Sequence, residues 1–265
     1  MSPAPHVALV SEHASPLAVL GGADAGGQNV YVASLARALA GIGWRVTVFT
    51  RRDDHQLPDM VPMCPGVSVR HLTAGPPCEI PKDDLFPYMT AFSDGLRGAF
   101  TDDRPDIVHG HFWMSGWAAL RAARPLRLPV VETFHALGVV KRRHQGAEDT
   151  SPAEREATER MLLRNATHVV ATCSDEVREL AALDSRSPAR VTVVPCGVDP
   201  GFTRHGPLDP EPRRQRHRIV SVSRLVPRKG VDDAIRALAR IRDAELVVAG
   251  GPPQEEVHSD PAIAQ

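Results

Sequence analysis

Short apolar runs alternate with amphipathic stretches along most of the chain, which predicts strands that alternate with helices. After a first apolar run at residues 7–10, Val32, Leu35, Ala36 and Leu39 recur at the spacing of one helix face. Strands that are apolar throughout and separated by helices favour a doubly wound α/β fold, with a parallel sheet covered on both faces. Further strands are predicted at residues 46–49, 67–70, 107–108, 129–133, 168–171 and 191–194, and helices at 84–100, 152–164 and 174–183, the last with Ser174 as its N-cap.

The pattern is interrupted at residues 205–218, which are rich in proline and charge, and then restarts. A strand at 219–223, a helix face carrying Val231 and Leu238, and a strand at 246–249 form one βαβ unit. We therefore expect a first domain over residues 1–200, a linker over 201–217 and the start of a second domain over 218–265. So short a unit does not hold a core of its own. It is expected to pack on the first domain or, as we favour, to belong to a longer protein.

Composition narrows the class of protein. The 265 residues are 42% hydrophobic with a formal net charge of -1, which argues against disorder and against a nucleic-acid partner. No apolar run has the length of a membrane span, and the N-terminus lacks the basic start of a secretory signal, so a cytoplasmic protein is expected. Neither a Cys-x-x-Cys pair nor a His-Glu-x-x-His helix occurs, so no metal is expected.

A glycine-rich segment at residues 21–31 leads into the first helix. Gly26 and Gly27 allow backbone N–H groups to approach a ligand closely, and a helix N-terminus favours an anion. The segment lacks both Gly-x-Gly-x-x-Gly and Gly-Lys-Ser/Thr, so it is neither a dinucleotide fingerprint nor a Walker loop. A phosphate or diphosphate is the ligand it indicates.

Histidines follow two of the predicted strands. His109 and His111 come directly after the strand at 106–108, and His135 follows the strand at 129–133. Because ligands of a doubly wound sheet bind at the carboxyl ends of its strands, these imidazoles are expected at the site edge, where they donate hydrogen bonds to sugar hydroxyls. No Gly-x-Ser-x-Gly elbow supports a hydrolase.

A second anion-binding loop is predicted at residues 223–230, between a strand and a helix. Arg224 and Lys229 flank the turn, and Gly230 permits close backbone approach. Two such loops on two α/β domains indicate a nucleotide held in the cleft between them.

These segments resemble family 4 retaining glycosyltransferases of the GT-B architecture. The segments GGADAGGQNVYV, PDIVHGHFW, TFH with Lys141 after it, VVPCGVD and SRLVPRKG occur in the family's order and span nearly the whole chain. The sequence is most similar to the branch that holds sucrose-phosphate synthase and D-inositol 3-phosphate glycosyltransferase. A Glu-x7-Glu motif that the family carries in its second domain has no match here.

The resemblance implies roles for individual residues. His135 matches the histidine that contacts the transferred sugar, and Arg224 and Lys229 match the pair that neutralises the departing diphosphate. Phe112 and Ala136 stand where the inositol-phosphate enzymes have hydroxyl-bearing residues, which argues against that acceptor. Gly26 and Gly27 are implied to face the donor diphosphate, while Gln28, Asn29, Lys82, His111 and Arg155 are assigned to the acceptor side.

The implied activity is transfer of a hexosyl group, with retention, from a UDP, GDP or ADP sugar to a hydroxyl acceptor, for which a sugar phosphate is one candidate. No cofactor is expected, since the nucleotide sugar is the substrate. Two alternatives stay open. One is a catalytically incomplete module that binds a sugar phosphate, and the other is an NADP-dependent oxidoreductase in which Arg51 and Arg52 clasp a 2′-phosphate.

Overall fold

A computed structural model describes residues 4–18, 26–185, 190–198, 212–223, 225 and 229–250. Contacts divide these residues into two units. The first holds residues 4–18, 26–185 and 190–197, and the second holds the remainder. The predicted boundaries at 200 and 217 stay predictions.

The first unit is built on one eight-stranded sheet. Its order is β3-β4-β2-β1-β5-β6-β7-β8, and every neighbouring pair is parallel except β3 with β4. The strands are β1 His6–Val10, β2 Arg45–Arg51, β3 Met60–Cys64, β4 Val67–Leu72, β5 Ile107–His111, β6 Val130–Thr133, β7 His168–Ala171 and β8 Val191–Val193. The predicted doubly wound α/β fold is confirmed.

The described residues of this unit contain six α-helices. They are α1 Gly27–Gly41, α2 Met89–Asp102, α3 Trp113–Ala123, α4 Gly138–Gln145, α5 Arg155–Asn165 and α6 Ser174–Leu183, with short 3-10 turns at Lys82–Asp84, Phe86–Tyr88, Arg124–Leu126 and Gly146–Glu148. None of the helices in the described part of the chain has both the length and the apolar character needed to cross a bilayer.

The two faces of the sheet carry separate cores because side chains alternate along each strand. Val7 and Leu9 of β1 pack in a cluster that contains Val32 of α1. Ala8 and Val10 point the other way, into the larger cluster that α2, α3 and α5 cover. Burial on both faces explains why β1 is apolar throughout.

Three details differ from the sequence predictions. The helix expected at 84–100 begins at Met89, because Pro87 lies in a preceding 3-10 turn and is disfavoured in a helix interior. Strand β3 was not predicted; it contains Pro62, which an edge strand tolerates. Ser174 is the first helical residue of α6, and Cys173 is its N-cap.

The second unit contains one parallel strand pair and one helix among its described residues. Strand β9 His217–Val222 pairs with β10 Ala244–Ala249, and α7 Val231–Leu238 connects them. The predicted βαβ pattern is therefore present.

Candidate active site at the carboxyl ends of the strands

The sheet changes winding direction between β1 and β5, and this is where a doubly wound fold binds its ligands. Strand β1 pairs with β2 on one side and with β5 on the other. Helix α1 begins beside this position at Gly27, with Gly26 as its N-cap. The segments after β1, β5 and β6 form the edge described below.

Three histidines stack at the ends of β5 and β6. The ring centroids of His109 and His111 lie 4.2 Å apart, and those of His111 and His135 lie 5.3 Å apart. The Nδ1 of His111 is 3.1 Å from the Nε2 of His135. Tyr31 of α1 meets the ring of His135 edge-on, with centroids 4.9 Å apart.

Burial keeps these imidazoles neutral. It lowers the pKa of His109 to about 3 and that of His135 to about 4, and it holds the pKa of His111 well below its ordinary value. The positive charges of neighbouring histidines lower each pKa further. A neutral imidazole donates one hydrogen bond and accepts another, so His135 is suited to a sugar hydroxyl.

His109 and His111 lie within β5 rather than after it, and His111 has no exposed surface. This corrects the expectation that His111 lies at the open edge of the site. Its ring contacts the other two histidines, which places it behind His135. Its assignment to the acceptor stays a prediction.

Two residues at this edge adopt backbone conformations that bulky side chains rarely take. Phe112, directly after β5, has φ of 82°, and His135, directly after β6, has φ of 60°. Such strain is often retained at functional sites because it aims a side chain.

Three basic side chains lie around the ring of Phe112. The guanidinium carbon of Arg155 lies 5.0 Å from its centroid, and the Nζ of Lys82 lies 5.9 Å from it. The edge of the His13 ring also meets it, with centroids 5.0 Å apart. The structure thus brings together the two cations predicted for the acceptor side and adds an imidazole that the sequence reasoning missed. The signal was available, since His13 closely follows the end of β1, as His135 follows β6.

Arg155 is buried and already paired, which was not foreseen. Its Nε lies 2.9 Å from Glu159 Oε1, and its Nη2 donates to the carbonyl of Ala136. Glu159 also accepts the backbone N–H of Gly138. The pair therefore holds the segment that follows His135. That Arg155 also contacts an acceptor stays a prediction.

Lys82 is more accessible, with 30% of its side chain exposed. Its closest acidic neighbour is Asp83, at 3.9 Å. Asp83 in turn accepts from the Nζ of Lys141 in α4 at 3.2 Å. This contact fixes the turn that carries Lys82 and leaves the Lys82 ammonium weakly paired.

The predicted residues of α1 make hydrogen bonds at the N-terminus of this helix. Asn29 Oδ1 accepts the N–H of Gly26, and Gln28 Nε2 donates to Ser11 Oγ and to the carbonyl of His111. Among the described residues, no atom lies within 4 Å of the position a Cβ would take on Gly27. The helix start is thus tied to the segment after β1 and to β5. Roles for Gly26, Gly27, Gln28 and Asn29 toward a ligand stay predictions.

The carboxyl of Glu132 in β6 lies against Gly110 of β5 and Gly116 of α3. It is completely buried, and neither carboxyl oxygen has a hydrogen-bond partner in the described part of the chain. Burial, and then the charge of Glu12, hold its pKa well above the ordinary value. Gly110 and Gly116 make room for it, because a Cβ on either would lie 2.5 Å or less from Glu132 Oε2.

In the second unit, Lys229 is exposed and precedes Gly230, the N-cap of α7. Gly230 has φ of 65°, a conformation that favours glycine. Arg224 lies outside the described residues. That Gly26 and Lys229 grip one diphosphate involves both units and stays a prediction.

Arg51 and Arg52, the residues of the oxidoreductase alternative, make hydrogen bonds within the protein. Arg51 donates to the carbonyls of Pro76 and Cys78, and Arg52 donates to the carbonyl of Leu57 and to Asp59. These guanidinium groups are occupied in anchoring loops beside β2. Among the described residues, no group of His, Cys, Asp and Glu is arranged to hold a metal ion.

The fold and this edge define a GT-B-like α/β protein. The structure of sucrose-phosphate synthase from Thermosynechococcus elongatus matches with a TM-score of 0.80 and 28% identity, covering 95% of this chain and 63% of that one. Anabaena HepE in complex with UDP and glucose matches with a TM-score of 0.62 at 15% identity, over 98% of this chain and 65% of that one, and supports the fold alone.

Residues 25–202 match the model of Glycosyltransferase Family 4, and the chain belongs to this family. The D-inositol 3-phosphate glycosyltransferase of Jonesia denitrificans is 38% identical over 273 residues, which cover 94% of this chain and 64% of that protein. The chain thus spans just under two thirds of the length of this relative. The resemblance inferred from the sequence motifs is confirmed.

Proposed function

We propose that the protein transfers a hexosyl group from a nucleotide-diphosphate sugar, of the UDP, GDP or ADP type, to a hydroxyl of a phosphorylated acceptor, with retention. The observation that carries this proposal is the edge where neutral His135 and the basic groups around Phe112 lie together. Family membership supports sugar transfer, and the named relatives act in inositol-phosphate and sucrose-phosphate chemistry. HepE, with the same fold, is described with UDP and glucose.

In the proposed reaction, the acceptor hydroxyl attacks the anomeric carbon on the face that the diphosphate leaves. The bond from that carbon to the diphosphate oxygen breaks, and the departing oxygen takes the acceptor proton. Arg224 and Lys229 stabilise the charge that builds on the diphosphate. His135 donates a hydrogen bond to a sugar hydroxyl, which is possible because its imidazole is neutral and one nitrogen carries a proton.

The test is an assay of the 265-residue chain with UDP, GDP and ADP sugars and a panel of sugar phosphates. Release of nucleoside diphosphate and the anomeric proton coupling of the product are measured. Lys229→Ala is expected to lower turnover by roughly a hundredfold, the typical effect of removing one transition-state charge contact. Arg236→Ala, at an exposed cation of α7, the helix that follows Lys229, is the matched control and is expected to leave turnover unchanged.

An inverted product would contradict retention, and an unchanged rate in Lys229→Ala would contradict the role of Lys229. Binding of a sugar phosphate without turnover of any nucleotide sugar would instead support the binding-module alternative. The acceptor-side residues described above all belong to the first unit, which gives that alternative a structural basis.

A further inference from the structure

Two side chains that follow β1, the carboxylate of Glu12 and the imidazole of His13, have not yet been given a role. The side chain of Glu12 has no exposed surface, and its Oε1 is 2.7 Å from the Nδ1 of His13. Its Oε2 accepts from the hydroxyl of Ser115 in α3, and that hydroxyl accepts the backbone N–H of Glu12 at 3.0 Å. Glu12 is therefore held from two sides and fixes His13 in turn.

This arrangement determines which imidazole nitrogen of His13 carries a proton. A carboxylate only accepts hydrogen bonds, so the Nδ1 of His13 carries a proton and donates to Glu12. The Nε2 has no hydrogen-bond partner among the described residues. With 10% of the side chain exposed, His13 is enclosed but reachable. Neutral His13 therefore presents a lone pair at Nε2, and protonated His13 presents a donor.

The surroundings of His13 are basic. Its ring meets the edge of Phe112, and the same Phe112 ring has Arg155 and Lys82 beside it. A charge on His13 lowers the pKa of His135, after the larger effect of burial. Glu12 is the acidic group in contact with His13, and Glu159 neutralises Arg155.

A dianionic group near Phe112 would favour a second proton on His13, because it adds a strong attraction and a hydrogen-bond acceptor for Nε2. Imidazole is the side chain whose charge changes most readily near neutral pH.

We propose that His13, oriented by Glu12, binds the phosphate of the acceptor together with Lys82, and that His13 takes up a proton when the phosphate binds. The identity of the acceptor as a phosphorylated compound rests on the proposed function. The ligand chemistry is a dianionic phosphate monoester, and inorganic phosphate shares it. The proton comes from solvent, and no bond of the phosphate is broken.

The experiment is titration calorimetry of the 265-residue chain with glucose 6-phosphate, inorganic phosphate and glucose, without any nucleotide sugar. Each titration is run at neutral pH in two phosphate-free buffers that differ in ionisation enthalpy. Glucose 6-phosphate is expected to bind with a net uptake of roughly half to one proton, as linkage requires when a group gains a proton on binding. Inorganic phosphate is partly a monoanion at neutral pH and releases a proton when it binds as the dianion, so its uptake at His13 is taken as the difference between the wild type and His13→Gln. Glucose is expected to bind at least tenfold more weakly than its phosphate.

Three variants separate the contributions. His13→Gln is expected to abolish proton uptake and to weaken phosphate binding roughly tenfold, because a charge-assisted hydrogen bond is lost. Lys82→Ala is expected to weaken binding while uptake persists. His55→Gln, at a histidine with 76% of its side chain exposed, is the matched control and is expected to match the wild type.

A second measurement, on the wild-type chain, tests the proposal even if the His13→Gln variant folds poorly. In long-range 1H–15N spectra of the wild-type chain, the His13 Nε2 signal is expected to move to its protonated position when phosphate is added. Equal proton uptake in His13→Gln would overturn the proposal, as would an unprotonated Nε2 in the phosphate complex or no binding of either phosphate. Because no donor is present, failure of sugar transfer leaves these results unaffected.

Discussion

Strands β1 and β9 begin the two units with the same local pattern, a short apolar run followed by a loop and a helix, yet their burial is very different. Every residue of β1 is buried. In β9, Val220 is 58% exposed and Val222 is 80% exposed. Strand β1 has parallel neighbours on both sides and helices on both faces, whereas the described residues of the second unit supply β9 with β10 and α7. The difference in burial thus follows the number of described layers around each strand, since the two strands have the same apolar pattern.

The largest expected effect comes from truncating an equivalent apolar residue in each strand. Leu9→Ala is expected to cost about 2–5 kcal/mol of unfolding free energy, because Leu9 is completely buried and a cavity remains. Val220→Ala is expected to cost about 0.5 kcal/mol or less, as surface substitutions usually do. Urea unfolding followed by tryptophan fluorescence reports on the first unit, since Trp44, Trp113 and Trp117 all belong to it.

Amide hydrogen exchange in β9 and β10 provides the complementary measurement. Leu9→Ala is expected to leave exchange there unchanged if the two units open independently. Equal destabilisation by Leu9→Ala and Val220→Ala would contradict the difference in burial between the strands.

Acid is expected to act on the first unit through its neutral histidines. Their folded-state pKa values are depressed, to about 3 for His109 and about 4 for His135, so the unfolded chain binds protons first as the pH falls. Stability is therefore complete above the ordinary histidine pKa near 6.5 and is lost below it, by up to about 1.4 kcal/mol per pH unit for each histidine. His109→Gln is expected to remove the contribution of one histidine from the slope of unfolding free energy against pH.

The control for the acid experiment is His55→Gln, since His55 is exposed and is expected to contribute no such slope. Glu132 acts in the opposite sense. Its folded pKa is raised, so its contribution is present at low pH and is lost as the pH rises through that value. The effect of His109 is therefore taken from the difference between variant and wild type at each pH. An identical slope in both would contradict the burial of a neutral His109.

The fold could be predicted from sequence further than the site could. Apolar runs and helix periodicity predict strands β1 and β5 and the face of α1, because these patterns follow directly from burial on a sheet. Strand β3 escapes the same reasoning, since its stability comes from antiparallel pairing with β4 at the sheet edge and not from an apolar pattern. Local periodicity carries no information on such a long-range partner.

The candidate site residues could be predicted from their positions in the sequence. The contacts and the burial of their side chains could not. His135 was found because it ends a strand, and Lys82 because it matches a family segment. The pairing of Arg155 with Glu159, and the enclosure of His111 behind His135, depend on helix packing that no short motif encodes. His13 was missed although it also follows a strand, since Glu12 and Ser115, which fix it, are more than a hundred residues apart.

The last comparison tests whether the buried carboxyl of Glu132 depends on its glycine neighbours. A Cβ on Gly116 would lie 2.2 Å from Glu132 Oε2, so Gly116→Ala is expected to cost about 1–3 kcal/mol by overpacking. Glu132→Ala removes the atoms that clash, and the double variant is expected to be more stable than the sum of the two single changes predicts. Tryptophan fluorescence in urea measures all three variants, with Gly98→Ala as the control, because no atom lies within 4 Å of a Cβ there. Additive changes would mean that Glu132 and Gly116 do not share this space. A favourable coupling, with exchange in β9 and β10 unaffected, would show that dense packing around a single polar group distinguishes the first unit from the second.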